Sequence, residues 1–295
     1  MLDNAPPPQS VSIDTILPSA MAVRAEAGGV ARAAADPLAV FVLSILAGAF
    51  ISFGAVFATT VGAVGIGSDA ALPYGVTRLL TGLVFSVGLI LVVVGGAELF
   101  TGNNMLVMAW ASRKVTTGAV LVNWTIAFIG NFIGAIATAV LLFFSTQYTF
   151  GGGAVGLNAL AIANSKCALS FLPAFTLGIL CNALVCLAVW MCYGARTTID
   201  RVVTIIPPIS AFVAAGFEHS IANIYFIPSG LFIKAGAPES FWTAIGKSPA
   251  EFPALTWGNF IFANLIPVTA GNVVGGSVMV AAVYWFVYLR KKSLS

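Results

Sequence analysis

The sequence has very little charge. Only 8% of its 295 residues are Asp, Glu, Lys or Arg, whereas a soluble domain carries about 25%. Hydrophobic residues make up 59%, and the mean hydropathy is +1.01. This composition excludes an ordinary soluble fold and indicates a protein surrounded by lipid. The formal net charge of +3 supplies no basic stripe of the kind that nucleic-acid binding requires.

Groups for metal or covalent chemistry are also scarce. The chain has one histidine, His219, and its four cysteines form no CxxC pair. These spacings argue against a zinc site, and we expect neither a metal nor an organic cofactor. We expect the cysteines to be buried, reduced and packed as small apolar side chains. They are Cys167, Cys181, Cys186 and Cys192.

The first 36 residues lack the basic start and the apolar core of a signal peptide. Instead, Asp14 is predicted to cap an amphipathic helix over 16–35 that lies at the membrane surface. Its apolar face is predicted to hold Ile16, Leu17, Met21 and Val30, and its polar face Arg24, Glu26 and Arg32. We expect three parts: an N-terminal segment 1–36, a channel domain 37–289 and a tail 290–295.

Six apolar runs are long enough to cross a bilayer, which takes about 20 residues. They cover 37–64, 76–112, 117–146, 171–194, 202–233 and 255–289. The second and the fifth are unusually long, and each is interrupted by a polar cluster that contains a glutamate, Glu98 or Glu218. These two spans are therefore predicted to be broken helices.

Basic residues in the connections are unevenly distributed, which predicts the orientation. The richer side is predicted to be cytoplasmic and to carry both chain termini. It holds Arg24, Arg32, Arg113, Lys114, Arg196, Arg201, Arg290, Lys291 and Lys292, whereas Arg78, Lys166, Lys234 and Lys247 fall on the other side.

The sequence contains an internal repeat. The pattern G-x-E-x-x-x-x-N begins at Gly96 and again at Gly216, and N-x6-G-N-x2-G begins at Asn123 and again at Asn264. Each half holds three spans, so the second half is inserted upside down relative to the first. Inverted repeats with broken helices are a recurring architecture of transporters.

The repeated polar residues have two interpretations. Glu98 and Glu218 hold the helix breaks together, or they are charged pore residues. Asn131 and Asn272 join helices, or they line a pore. Alignment of the halves puts His219 opposite Leu99. An ionisable residue at a break within the membrane is a functional candidate, and the alternative is a neutral histidine hydrogen-bonded inside the bundle.

Three segments resemble the formate/nitrite transporter family: AELFTGN at 97–103, GFEHSIAN at 216–223 and NLIPVTAGN at 264–272. The resemblance extends from Leu17 to Arg290 and is strongest to the formate-channel branch, although Gly102 and Asn103 are also similar to the nitrite branch. It implies an all-α, aquaporin-like protomer in a homopentamer, with one pore per protomer.

The resemblance also implies residue roles. His219, Thr101 and Asn272 match the pore centre. Phe85 and Phe212 match the outer constriction, and Leu89, Leu99 and Phe100 match the inner one. Lys166 and Asn182 match residues that guide the anion from outside, and Arg32 falls where the formate branch has a lysine near the cytoplasmic mouth. Glu218 and Asn223 match residues that support the fifth-span break, and Glu98 is their counterpart in the first half.

The predicted function is transport of a small monovalent anion, foremost formate, across the inner membrane of a bacterium. His219 is predicted to make transport depend on pH by lending a proton to the anion. Nitrite, hydrosulfide, acetate and lactate stay open as substrates, as do passive and proton-coupled transport. Two other classes are a membrane-embedded enzyme that uses Glu98, Glu218 and His219 as acid and base, and a structural subunit without a pore.

Overall fold

The computed structural model describes residues 14–64 and 72–290, so most of the predicted tail 290–295 lies outside the described residues. Every regular element in the described part is helical. The helices are α1 (Pro18–Ala33), α2 (Pro37–Gly62), α3 (Tyr74–Gly95), α4 (Val107–Ala111), α5 (Thr117–Phe144), α6 (Ala154–Cys167), α7 (Phe171–Cys192), α8 (Thr198–Ala215), α9 (Ser220–Gly236), α10 (Glu239–Ile245) and a last helix, Trp257–Tyr288. Short 3₁₀ turns cover Gly102–Leu106, Gln147–Thr149 and Pro249–Glu251.

Six helices in the described residues are long and apolar enough to cross a membrane: α2, α3, α5, α7, α8 and the last helix. The two predicted breaks are present. The second span stops at Gly95 and resumes with the 3₁₀ turn at Gly102, and the fifth stops at Ala215 and resumes with α9. Gly96 and Gly216 end the first halves with left-handed φ angles of 75° and 78°. Glycine adopts this conformation without strain.

Each half of the molecule begins with a short helix that precedes three spans, and the sequence reasoning missed one of the two. The connection between the third and fourth apolar runs contains α6, which the sequence analysis did not predict. The end of α6 lies three residues before α7, just as α1 ends shortly before α2. The repeat unit therefore consists of four elements, and α1 and α6 are equivalent.

Helix α1 differs in detail from the prediction. It begins at Pro18 after Leu17, and Asp14 is not its cap. The Asp14 backbone carbonyl instead accepts a hydrogen bond from Arg196. Leu17 is 71% exposed, whereas Glu26 is buried because its carboxylate pairs with Lys114. Helix α1 thus packs on the bundle through a face that includes an acidic residue.

The contacts of α1 also show which basic residues share one end of the molecule. Arg24 bonds to the Tyr193 carbonyl, and Lys114 and Arg196 both bond to the segment around α1. Lys166 and Arg78 line a cavity at the opposite end of the molecule, where α3 begins and α8 ends. These five cations therefore fall into two groups at opposite ends of the bundle, and the orientation of those ends in a membrane stays a prediction.

The last helix contains two π-helical stretches, Phe260–Leu265 and Val274–Ala282, which no sequence signal predicted. Pro267 follows the first stretch, and proline lacks the N–H that an α-helix needs there. All four cysteines are free, as expected, and Cys167, Cys181 and Cys186 are buried, whereas Cys192 is only partly buried.

Glycines let the first and third spans of each half approach closely. A Cβ atom on Gly134 would lie 2.0 Å from the Ile45 carbonyl oxygen, and one on Gly275 would lie 2.1 Å from that of Ile179. No side chain fits at such distances. The matching contacts explain why both glycines belong to the repeated N-x6-G-N-x2-G pattern.

We predict that Gly134→Ala destabilises the bundle, because the new methyl group must push α5 away from α2. Overpacking of this kind costs about 1–3 kcal/mol. Thermal unfolding of the detergent-solubilised protein measures the effect. Gly118→Ala in the same helix is the control, since its Cβ would have only one neighbour, 4.0 Å away. Equal melting temperatures for the two variants would contradict the close-packing account.

Candidate functional site

Asn131 closes the break in the second span. Its amide Nδ2 donates to the carbonyl oxygens of Ser44 (2.7 Å) and Glu98 (2.9 Å), and its Oδ1 accepts the backbone N–H of Phe100 (2.9 Å). The Glu98 carbonyl and the Phe100 N–H have no helical partner at the break, whereas the Ser44 carbonyl belongs to the neighbouring helix α2. In hydrocarbon they would be costly if left unpaired, so this one fully buried side chain holds the break.

Asn272 does the same for the fifth span. Its Nδ2 donates to the carbonyl oxygens of Gly178 (2.8 Å) and Glu218 (2.9 Å), and its Oδ1 accepts the backbone N–H of Ser220 (2.9 Å). Both amide protons are therefore used, and none is left for a substrate. The geometry places Asn272 in the support of the break, although the family resemblance implied a position at the pore centre.

The Glu218 carboxylate lies at the centre of a buried polar cluster. Its Oε1 is 2.7 Å from Lys166 Nζ, and its Oε2 accepts from the amides of Asn223 (2.6 Å) and Asn264 (3.2 Å). Asn223 also donates to the Asn264 Oδ1 at 2.8 Å. This cluster ties the start of α9 to α6 and to the last helix.

Glu98 has the equivalent set of partners. Its Oε1 is 3.3 Å from Arg32 Nε, and its Oε2 accepts from Asn103 at 2.8 Å. Asn103 in turn donates to Asn123 at 2.9 Å. Arg32 therefore occupies the place that Lys166 has in the other half, which agrees with the equivalence of α1 and α6. Both glutamates support their breaks in this geometry.

Arg32 keeps its charge. Burial lowers the pKa of the guanidinium, but the nearby Tyr193 and Glu98 raise it more, so the pKa lies above its ordinary value. The Tyr193 hydroxyl accepts from Arg32 at 3.2 Å. The cation is consequently present at any physiological pH.

Two cavities enter the bundle from opposite ends, and we name them after their cations. The Lys166 vestibule has a volume of about 350 Å³ and the Arg32 vestibule about 300 Å³. Among the predicted site residues, the first is lined by Lys166, Phe85, Phe212, Glu218, His219 and Asn223. The second is lined by Arg32, Leu89, Glu98 and Leu99.

The barrier between the vestibules is thin and apolar. Phe85 lines one vestibule and Leu89 the other, and they lie one helical turn apart in α3, a rise of about 6 Å. Phe212 packs edge-on against Phe85 with ring centroids 5.6 Å apart. These side chains are 2–3% exposed, so a permeating molecule must displace or pass between tightly packed rings.

His219 and Thr101 are hydrogen-bonded at the centre of the bundle. His219 is the N-cap of α9, and its Nδ1 accepts the backbone N–H of Ala222 at 3.1 Å. Its Nε2 lies 3.0 Å from Thr101 Oγ1. Because Nδ1 accepts, the hydrogen-bond pattern assigns the proton of the neutral ring to Nε2. Thr101 then accepts from His219 and has its own hydroxyl proton left to donate.

Two predicted site residues face away from the vestibules. Asn182 is fully buried and donates to Asn104 Oδ1 (2.7 Å) and to the Asn272 carbonyl (2.6 Å). The Phe100 ring packs on Phe128 and Trp124, with centroid distances of 5.2 and 6.2 Å. Neither residue lines a vestibule, and the roles that the resemblance implied for them stay predictions.

Sequence reasoning missed a second cation in each vestibule. Arg78 lines the Lys166 vestibule, where it donates to the Ala214 carbonyl (3.1 Å) and to that of Val213 at the end of α8. Arg201 lines the Arg32 vestibule. A signal was available, because both arginines lie near the starts of equivalent helices, α3 and α8.

This architecture defines a class of protein: an inverted-repeat membrane channel with two vestibules and a short barrier. The profile of the family "Formate/nitrite transporter" matches residues 19–286, and the chain belongs to that family. It is 46% identical over 278 residues to the formate channel FocA of Escherichia coli (strain K12), covering 94% of this chain and 96% of that protein.

Further relatives agree. The formate channel FocA of Haemophilus influenzae is 41% identical over 244 residues, 83% of this chain and 84% of that protein. A solved structure described as a pentameric formate channel with formate bound has a TM-score of 0.81 and 46% identity, covering 86% of this chain and 98% of that chain. Another, an FNT family ion channel, has a TM-score of 0.76 and 27% identity over 90% of this chain and 98% of that chain. These relatives are channels, and the family to which the chain belongs is one of transporters and not of enzymes.

We predict that Glu218→Gln lowers stability, because the amide cannot accept from Asn223, Asn264 and Lys166 at once. Loss of a buried charged hydrogen bond costs about 1–3 kcal/mol, measured by thermal unfolding. Glu251→Gln is the matched control: that glutamate also pairs with a lysine, Lys247, at 2.7 Å, but the pair is over 40% exposed, and such pairs contribute little. Equal losses in both variants would contradict the supporting role of Glu218.

Proposed function

We propose that this protein is a formate channel of a bacterial inner membrane. One observation carries the proposal: two vestibules with a surplus of positive charge meet at a barrier one helical turn thick. Formate channels that are 46% identical to this chain support the choice of anion. Nitrite, hydrosulfide, acetate and lactate are the competing substrates.

Each vestibule attracts anions. The Lys166 vestibule is lined by two cations, Lys166 and Arg78, and by one carboxylate, Glu218. The Arg32 vestibule repeats this set with Arg32, Arg201 and Glu98. Each therefore carries one positive charge in excess. A charged, low-dielectric cleft concentrates ions of the opposite sign, so both mouths select a small anion.

The barrier requires the charge of the anion to be reduced. Apolar constrictions block bare ions by excluding water. The Thr101 hydroxyl, whose oxygen accepts from His219, donates a hydrogen bond to the anion. A proton that His219 takes up from the Lys166 vestibule passes through this hydroxyl to formate, which leaves the imidazole ring neutral again. Formate then passes the rings of Phe85 and Phe212 in a nearly neutral form. The Thr101–His219 pair is the proposed pore centre, with Leu89 and Leu99 on the Arg32 side of the barrier.

The proposed assembly is a homopentamer with one pore in each protomer. A solved pentameric formate channel with a TM-score of 0.81 supports this assembly.

We also propose that the Arg32 vestibule opens to the cytoplasm, because the basic residues cluster at that end. A reporter that is active only in the cytoplasm should work when fused after Ser295. A working fusion in the 237–251 connection instead would reverse the orientation.

Formate flux into proteoliposomes tests the function. We expect formate to enter faster than into protein-free vesicles, and faster than acetate or lactate. Flux is expected to rise as pH falls from 8 to 4, because a proton shared with the anion lowers the charge that must cross the barrier. Nitrite moving much faster than formate at every pH would assign the channel to the competing substrate.

His219→Asn is predicted to fold and conduct but to lose the pH dependence. Asparagine is a strong N-cap residue and can still accept from Ala222, but it cannot titrate. The same flux assay between pH 4 and pH 8 measures the effect. Ser170→Asn serves as control, because that residue precedes α7 without a side-chain cap bond. A pH dependence that survives intact in His219→Asn would contradict proton sharing through this residue.

A further inference from the structure

We propose a binding site for the phosphate headgroup of an acidic phospholipid, separate from the pore, at the turn between α4 and α5. A groove of about 510 Å³ lies there, lined by Arg113, Lys114, Trp110, Trp285 and the first residues of α5. It opens at the same end of the molecule as α1, because Lys114 bonds to Glu26 of that helix.

Arg113 stands where the backbone favours glycine. It follows α4 with a left-handed φ of 61°, and two hydrogen bonds close the turn: Arg113 N–H to the Trp110 carbonyl (2.8 Å) and Lys114 N–H to that of Ala109 (3.0 Å). This helix ending usually places glycine at the left-handed position. An arginine here carries strain, which indicates that its side chain has a use that glycine cannot supply.

The charges of the groove fit a phosphate. Within the described residues, the Arg113 side chain has no hydrogen bond or ion pair, and the residue is exposed. The Lys114 ammonium group donates one hydrogen bond to Glu26, and its side chain is 55% exposed. The N-terminus of the 28-residue helix α5 begins at Thr117, and such a terminus favours negative charge. Two cations and a helix N-terminus thus converge on one groove.

The surroundings fit a lipid rather than a soluble phosphate. Trp110 and Trp285 flank the groove and have both indole N–H groups bonded, to Thr117 Oγ1 (2.9 Å) and Ser112 Oγ (3.0 Å). Tryptophan is enriched at the membrane–water interface. One turn into α5, Leu121 and Val122 are more than 50% exposed and offer an apolar surface to acyl chains. Basic pockets between spans on the cytoplasmic side are typical sites for acidic lipids.

Arg113→Gly removes the charge but keeps the turn, because glycine adopts the left-handed conformation without strain. The measurement is native mass spectrometry of the solubilised oligomer titrated with phosphatidylglycerol or phosphatidylcholine. We expect the variant to keep its oligomeric state and to bind phosphatidylglycerol about fivefold more weakly, the effect of one basic residue near an anionic surface. Phosphatidylcholine binding should not change.

Arg113→Lys, which keeps the charge, should retain most of the binding. Arg24→Gln is the matched control, since it removes one exposed cation at the same end without touching the groove. Unchanged phosphatidylglycerol binding in Arg113→Gly would overturn the proposal. So would dissociation of the oligomer without loss of lipid, which would make the groove a protomer contact. Competition by inorganic phosphate at equal concentration would identify a soluble anion as the ligand and also overturn it.

Discussion

Hydrogen bonding of the interrupted backbone is the constraint on which the rest of this structure depends. A helix that stops in the middle of a membrane exposes carbonyl and N–H groups that lipid cannot satisfy. Asn131 and Asn272 each pair two such groups and also donate to a carbonyl of a neighbouring span. Because the breaks are held in this way, side chains at the breaks can face two water-accessible cavities while the flanking helices stay packed.

The duplication explains why the protein has two similar entrances, and the differences between the halves explain where its chemistry lies. Arg32 and Lys166 are equivalent, as are Glu98 and Glu218. Leu99 and His219 are not equivalent in chemistry, although both line a vestibule beside the barrier. The fold thus supplies a symmetric pair of anion-attracting mouths, and a single titratable residue makes the centre asymmetric.

Much of this architecture could be predicted from the sequence, because long apolar runs and repeated polar motifs report directly on the membrane. The six spans, both breaks and the inverted repeat are examples. Helix α6 was missed because its apolar and polar residues alternate weakly and three glycines precede it. Glu26 was placed on the wrong face, since its burial depends on Lys114, which is 88 residues away.

The direction of individual side chains at the site could not be predicted either. Phe100 and Thr101 are neighbours in sequence, yet the ring of Phe100 packs on α5 while the hydroxyl of Thr101 reaches His219. The family resemblance implied that Asn182 guides the anion, but its amide bonds to Asn104 and to the Asn272 carbonyl. Such choices depend on partners from other spans, which no local pattern reveals.

The central claim is that the anion exchanges hydrogen bonds with the Thr101–His219 pair as it crosses the barrier. A high-resolution structure of this protein with formate, determined at low pH, tests it most directly. The account predicts formate within hydrogen-bond distance of Thr101 Oγ1, between Phe85 and Leu89, with the bonds of Asn272 unchanged. Formate bound only beside Lys166 and Arg32, with the centre filled by rearranged side chains, would contradict it.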